Sequence, residues 1–266
     1  MDLLFLATSV CLRYDVVSCM RLTDYLIQTE TDTIRQFFQL ESFAVPPLPT
    51  WINDERIQFW NDLSFHLHYL PAIALTQDLA LPLWGDRPGH FFYEAIEQGK
   101  LEPDASLLPG KWILIDARDK PEKQRPWISA SDVWILEKLG LHPKTFFKKK
   151  TAQLFEHEYL TETLAQRGYG SRFCLSVKDV DDLKPSIQNT LKLDIQKIRL
   201  PHFIEYNYLG NAFYPQWGTT QTWEWFEDMY DHGQHLAGGS GSLGAIGCDP
   251  LDYWSTILTF RPLIEL

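Results

Sequence analysis

From about residue 194 onward the chain sets Tyr206, Tyr208, Phe213, Tyr214, Trp217, Trp223, Trp225, Phe226, Tyr230, Tyr253, Trp254 and Phe260 among many glycines, with no sustained helical spacing of apolar positions. An amphipathic helix needs that spacing, so the region is predicted to form short strands and long loops clamped by aromatic side chains. With 266 residues, 45% of them hydrophobic, the chain is long enough to bury a sizeable core around it.

The upstream part reads differently. Ile34, Phe37, Phe38 and Glu41 recur at helical spacing behind candidate caps Thr31 and Asp32, which predicts a short helix over 31–42. The prolines of "AVPPLPT" (44–50) then bar helix continuation. Residues 51–102 are aromatic-rich without clear period and read as short helices and irregular loops. "KWILIDA" (111–117), bounded by Pro109-Gly110 and a charged turn, reads as a buried strand. Ser131-Asp132 opens a short helix closed by Gly140, and further helices are expected over 151–167 and between Val180 and Leu193, the last with Pro185 in its first turn.

A net charge of −11 argues against a nucleic-acid reader, which needs a basic surface to displace counterions. The one basic run, Lys144 with Lys148, Lys149 and Lys150, reads as a solvated face. Cys11, Cys19, Cys174 and Cys248 form no CxxC pair, which suits a reducing compartment, although an even count leaves disulfides open. The first twenty residues lack the basic start of a signal peptide, and Arg13 and Asp15 interrupt their apolar run. No stretch reaches the ~20 apolar residues of a membrane span, so a soluble protein is expected.

Gly239-Ser240-Gly241-Ser242-Leu243-Gly244 spells GxGxxG. That fingerprint binds a dinucleotide only between a strand and a helix N-terminus, and Gly247 and Pro250 forbid a useful helix here. The match is one of composition. Composition also marks the surrounding stretch: Met229 to Thr259 holds no Lys, Arg or Glu. Apart from Met, Gln and Trp, every residue type in it has a codon ending in a pyrimidine.

Four motifs frame this stretch: "IRLPHFIEYNYLG" (198–210), "TWEWFED" (222–228), "LAGGS" (236–240) and "TFRPL" (259–263). In order and approximate spacing they resemble the signatures of formylglycine-generating-enzyme-like proteins, a family with a C-type-lectin fold. The odd-composition segment between the second and last motifs resembles more narrowly the variable proteins of diversity-generating retroelements, in which template adenines become random bases. "GKWILIDARDKP" (110–121) is similar to such proteins from uncultivated archaea and small-genome bacteria. The likeness covers roughly residues 108–266.

The resemblance implies an α+β C-type-lectin fold with short strands, long loops and a few flanking helices. It divides the chain into an N-terminal helical or irregular segment, 1–107, packed on a lectin-like domain, 108–266, with a variable region at about 229–259. It implies a non-catalytic binding protein without cofactor, whose partner is a macromolecule or small ligand, a protein in the first instance, and which a partner could display on a cell surface or virion. Its variable ligand-binding face would comprise Tyr230, Asp231, His232, His235, Ser240, Ser242, Ala245, Gly247, Cys248, Asp249, Leu251, Asp252, Tyr253, Trp254, Ser255 and Ile257. Trp223, Trp225, Gly238, Gly239, Phe260, Arg261 and Pro262 would be scaffold, with Arg261 able to make bidentate bonds that pin the last strand.

Other readings stay open on the sequence. A formylglycine-generating oxidase needs two closely spaced cysteines to hold copper, and Cys248 stands alone in its region. His232 and His235, with Asp231 or Asp249, could share a metal. His66 and His68 flank Leu67 and could share one side of a strand, as hydrogen-bonded histidines. "HEY" at His157 lacks the second histidine of a zincin. A calcium lectin would need more than the "WND" at Trp60–Asp62.

Overall fold

The computed structural model describes residues 20–120 and 175–266, apart from 232, 254 and 256. The helices expected over 131–140 and 151–167 lie outside the described residues, as do Cys11, Cys19, Cys174, His157 and the basic run.

The architecture is mixed α+β, and the described residues form two four-stranded sheets. In the first, β1 (Phe65–Leu70), β2 (Lys111–Asp116), β8 (Leu263–Glu265) and β3 (Lys197–Arg199) lie side by side in that order, all antiparallel. Leu67, Leu114, Ile264 and Ile198 line up across all four strands. The strand nearest the end of the chain is thus held between strands from its middle, and β1 belongs to the same sheet. The second sheet runs β6 (Ile246–Pro250), β5 (Gln234–Gly238), β4 (Trp223–Tyr230) and β7 (Leu258–Thr259), with only β4–β7 parallel. One hydrophobic core joins the sheets to the helices.

The strand expected at 111–117 forms as β2. The first helix does not begin near residue 31. It is α1, Leu22–Phe38, and Thr31 and Asp32 lie inside it. Arg21 at its N-cap gives the helix amides no side-chain cap; Asp54 instead accepts from the amides of Leu22 and Thr23 at 3.2 and 2.9 Å. A cap supplied from more than thirty residues away leaves no local signature. Asp54 itself opens α2 (Asp54–Asp62), whose N-cap Asn53 accepts from Arg56 N. The "WND" triplet is the end of this helix: Trp60 is buried, and Asp62 accepts from Gln58. The helix α3 spans His90–Glu97.

Instead of one helix between Val180 and Leu193 there are two short ones, α4 (Val177–Asp181), with a Ser176/Asp179 capping box, and α5 (Lys184–Thr190), with Pro185 in its first turn. The helical signal does not end at 194. α6, Phe203–Ala212, runs through the centre of the molecule, and every residue from Phe203 to Gly210 is buried. A helix buried on all sides, with polar Glu205 and Asn207 inside as well, shows no amphipathic period, which is why its sequence reads as irregular. A short 3-10 turn, Pro215–Gly218, follows.

Candidate binding surface

The surface is built on β4, β5 and β6 with the loops that join them. Residues directly opposite in antiparallel strands share a face, so Trp225, Ala237 and Gly247 point one way. Leu236 and Cys248 point the other. β6 therefore sends Gly247 and Asp249 to one side of the sheet and Ile246 and Cys248 to the other, where both pack on the core. The expected single face is divided by this alternation.

The glycine-rich loop cradles an anion, and the anion belongs to the chain. Asp86 accepts from Ser242 Oγ at 2.6 Å, from Gly244 N at 3.3 Å and from Leu243 N. Asn207 on α6 locks the arrangement, donating to Asp86 O and Leu243 O at 2.9 and 3.0 Å and accepting from Trp84 Nε1 at 2.7 Å. After Gly244 the chain enters β6, a strand, so the loop is not followed by the helix that a dinucleotide fingerprint requires.

The glycines divide by what a side chain would meet. At Gly239, with φ +84°, a Cβ would lie 2.4 Å from Tyr206 Oη. At Gly244 it would lie 1.9 Å from the Arg87 carbonyl oxygen, and at Gly238 2.3 Å from that of Ala245. At Gly247 the nearest atoms are those of the Trp223 ring, at an ordinary 3.6 Å.

Under the loop lies a buried ionic centre. Arg261 donates from Nη2 and Nε to the two carboxylate oxygens of Glu224, at 2.9 and 3.1 Å, and both residues are fully buried. Its other nitrogen donates to the carbonyls of Asp116 and Arg118, which ties the approach to β8 to the end of β2. The guanidinium stacks 3.7 Å from the Trp217 ring. Trp225 and Phe260 are fully buried, as are Gly238, Gly239 and Pro262. Trp223, expected as buried scaffold, is only half-buried and borders the surface at Gly247.

Among the sixteen expected face residues, Asp231, Asp252 and Tyr253 are exposed. Tyr230, Ser240, Ala245, Gly247, Cys248, Asp249, Leu251, Ser255 and Ile257 are half-buried. His232 and Trp254 lie outside the described residues. Two of the sixteen are engaged within the chain. His235 is buried, with Nδ1 hydrogen-bonded to the Phe226 carbonyl at 2.9 Å, and Ser242 is held by Asp86. His235 Nδ1 is thus engaged, and His232, its partner in the alternative metal reading, lies outside the described residues. Among the described residues no group of three or more His, Cys, Asp or Glu side chains is placed to hold a metal ion.

Burial pushes the Asp249 carboxyl up, and burial together with Asp249 pushes the Cys248 thiol up. Sequence reasoning missed the rim contributed from far upstream. Phe91, at the start of α3, stacks on Tyr230 at 5.4 Å, and Lys100 lies 5.8 Å over the same ring while its carbonyl accepts from Asp231 N. Nothing in the sequence around Phe91 or Lys100 points to residue 230.

A cavity of about 330 Å³ opens elsewhere, lined by Glu102, Asp104, His202, Glu227, Asp228 and Met229 among others. Its buried charges are internally held. Arg199 forks onto Glu205 at 2.7 Å and reaches Glu265 at 2.6 Å, and Asp228 accepts from Phe203 N and holds His202 Nδ1.

No protein-family model, curated protein or solved structure matches the chain. Among the described residues no helix is long and apolar enough to cross a membrane.

Proposed function

We propose that the chain is a non-catalytic ligand-binding protein with a C-type-lectin fold, and that a diversity-generating retroelement varies the surface carried by residues 229–259. The four ordered motifs and the absence of Lys, Arg and Glu across that segment motivate the reading. The observation that carries it is the division of the glycines. Gly238 and Gly239, placed in the scaffold on sequence grounds, leave no room for a side chain, whereas Gly247, placed in the variable set, does. The tolerant set is smaller than the sequence suggests, because His235 and Ser242 are structurally committed. Tyr230, Tyr253 and the bordering Trp223 are the natural anchors, since aromatic side chains give contact area at low entropic cost.

The oxidase alternative gains nothing from Cys248. No second cysteine stands close to it in the sequence to complete a two-thiolate copper site. A display library randomised at Gly247, Asp249, Leu251, Asp252, Tyr253 and Ser255 tests the binding reading. Most members should fold, and selection against unrelated proteins should yield distinct binders. A library that largely fails to fold, or that never binds, contradicts it.

A further inference from the structure

The described residues contain a buried polar chain that the binding surface does not use. Glu30 of α1 is 1% exposed, yet its Oε1 lies 2.9 Å from His68 Nδ1 and its Oε2 accepts from Tyr69 N at 3.0 Å. His68 Nε2 lies 2.6 Å from the Tyr214 hydroxyl, and the same hydroxyl lies 2.8 Å from His66 Nδ1. His66 and His68 point to one side of β1, and His66, half-buried, is the outer end of the series. The order is carboxylate, imidazole, phenol, imidazole.

This order fixes where hydrogens can sit. With both imidazoles neutral, His66 Nδ1–H donates to Tyr214 O, the Tyr214 hydroxyl donates to His68 Nε2, and His68 Nδ1–H donates to Glu30. One added proton at His66 Nε2 is accommodated by shifting each hydrogen one place. His66 passes its Nδ1 proton to Tyr214, and Tyr214 passes its own to His68. The result is an imidazolium at His68 beside the Glu30 carboxylate, with the Tyr214 hydroxyl now donating to His66 Nδ1. A second proton cannot be accommodated. Both imidazoles would then donate to Tyr214, whose own hydrogen would have no acceptor in the chain, and two cations would share one phenol.

We propose that Glu30, His68, Tyr214 and His66 form a proton-operated clasp, which holds α1 against β1 near neutral pH, accepts one proton by reversing the Tyr214 hydroxyl, and releases α1 when a second arrives. The inference is independent of the proposed binding role. The surrounding charged and titratable groups are Glu30 from α1, Asp116 from β2, Tyr208 from α6 and the more distant Arg261, and the Phe213 ring covers His68 at 4.3 Å. Burial, then the charge of His68, lowers His66 from its usual 6.5, against an opposing pull from Asp116. A lowered histidine stabilises the fold fully above its unfolded value, and that contribution is lost as pH falls through the folded value. The clasp therefore opens below about pH 6.5. Asp54, which caps α1, is also lowered from its usual 3.8, so loss of that cap belongs to far more acid conditions.

Hydrogen exchange of α1 between pH 7.5 and 5, corrected for the intrinsic rate, tests the clasp. Protection of residues 22–38 should fall at least roughly tenfold while β2 and β8 keep theirs. The His66→Gln chain, able to bond to Tyr214 but not to take up a proton, should keep neutral-pH protection and lose its pH dependence. Tyr214→Phe should lower protection already at pH 7.5. Unchanged protection in the parent chain, or an equal fall in His66→Gln, overturns the proposal. The unsubstituted protein gives a second test by ¹⁵N imidazole shifts. His66 and His68 should report one another's protonation, and two independent single-site curves would contradict the clasp.

Discussion

Asp86 and Ser242 are separated by 156 positions, yet their side chains meet at 2.6 Å, and the same carboxylate takes the amides of Leu243 and Gly244. The loop between β5 and β6 is therefore shaped by an anion from another part of the chain, as a phosphate-binding loop is shaped by its ligand. Asp86→Ala should leave these donors without their acceptor and lower stability by about 1–3 kcal/mol. Amide exchange over 239–245 should accelerate, and Asp86→Asn should have a smaller effect. Denaturant melts with exchange data check both.

The glycine contrast gives a paired prediction. Gly239→Ala forces a side chain onto Tyr206 at φ +84° and should cost roughly 2 kcal/mol or more. Gly247→Ser meets only ordinary contact with Trp223 and should fall within about 0.5 kcal/mol of the parent. Thermal melts of the two variants decide the matter.

Arg261 and Glu224 are fully buried partners. Arg261→Met leaves the Glu224 carboxylate uncompensated and should cost about 3–5 kcal/mol, whereas replacing both by apolar residues should cost much less than the two single losses combined. Arg261→Lys should not rescue, because an ammonium cannot grip both carboxylate oxygens and both carbonyls from one plane. A double-mutant cycle on chemical denaturation measures the coupling.

His202 carries the opposite pH sign from His66. Burial disfavours its cation, but the hydrogen bond and charge of Asp228, with Glu205, outweigh burial and raise it above 6.5. Its stabilising contribution is therefore complete below the unfolded value and lost as pH rises through the folded one. Asp228→Asn should flatten the pH dependence of stability on the neutral-to-alkaline side while leaving that of His66 intact, as melts from pH 5 to 9 would show.

What the sequence revealed follows from whether the cause is local. β2 was legible because its apolar run and bounding turn lie within a few residues, and Pro185 correctly signalled a first turn. The start of α1 was not, because its cap is Asp54. α6 was hidden because burial on every side erases periodicity. At the surface, the stretch without Lys, Arg or Glu and the scaffold glycines were visible, but the commitment of His235 to a carbonyl and of Ser242 to Asp86 depends on contacts that no spacing encodes. The contribution of Phe91 to the rim was invisible for the same reason.

The most direct measurement is sequencing of this locus across its source population, with a search nearby for a near-copy of codons 226–262. Substitutions confined to codons where the copy carries adenine, dense at Gly247, Asp249, Asp252 and Tyr253 and absent from Gly238, Gly239 and Arg261, are the predicted result. Uniform variation, or an invariant segment with no near-copy, would contradict the account and leave a binder of fixed specificity.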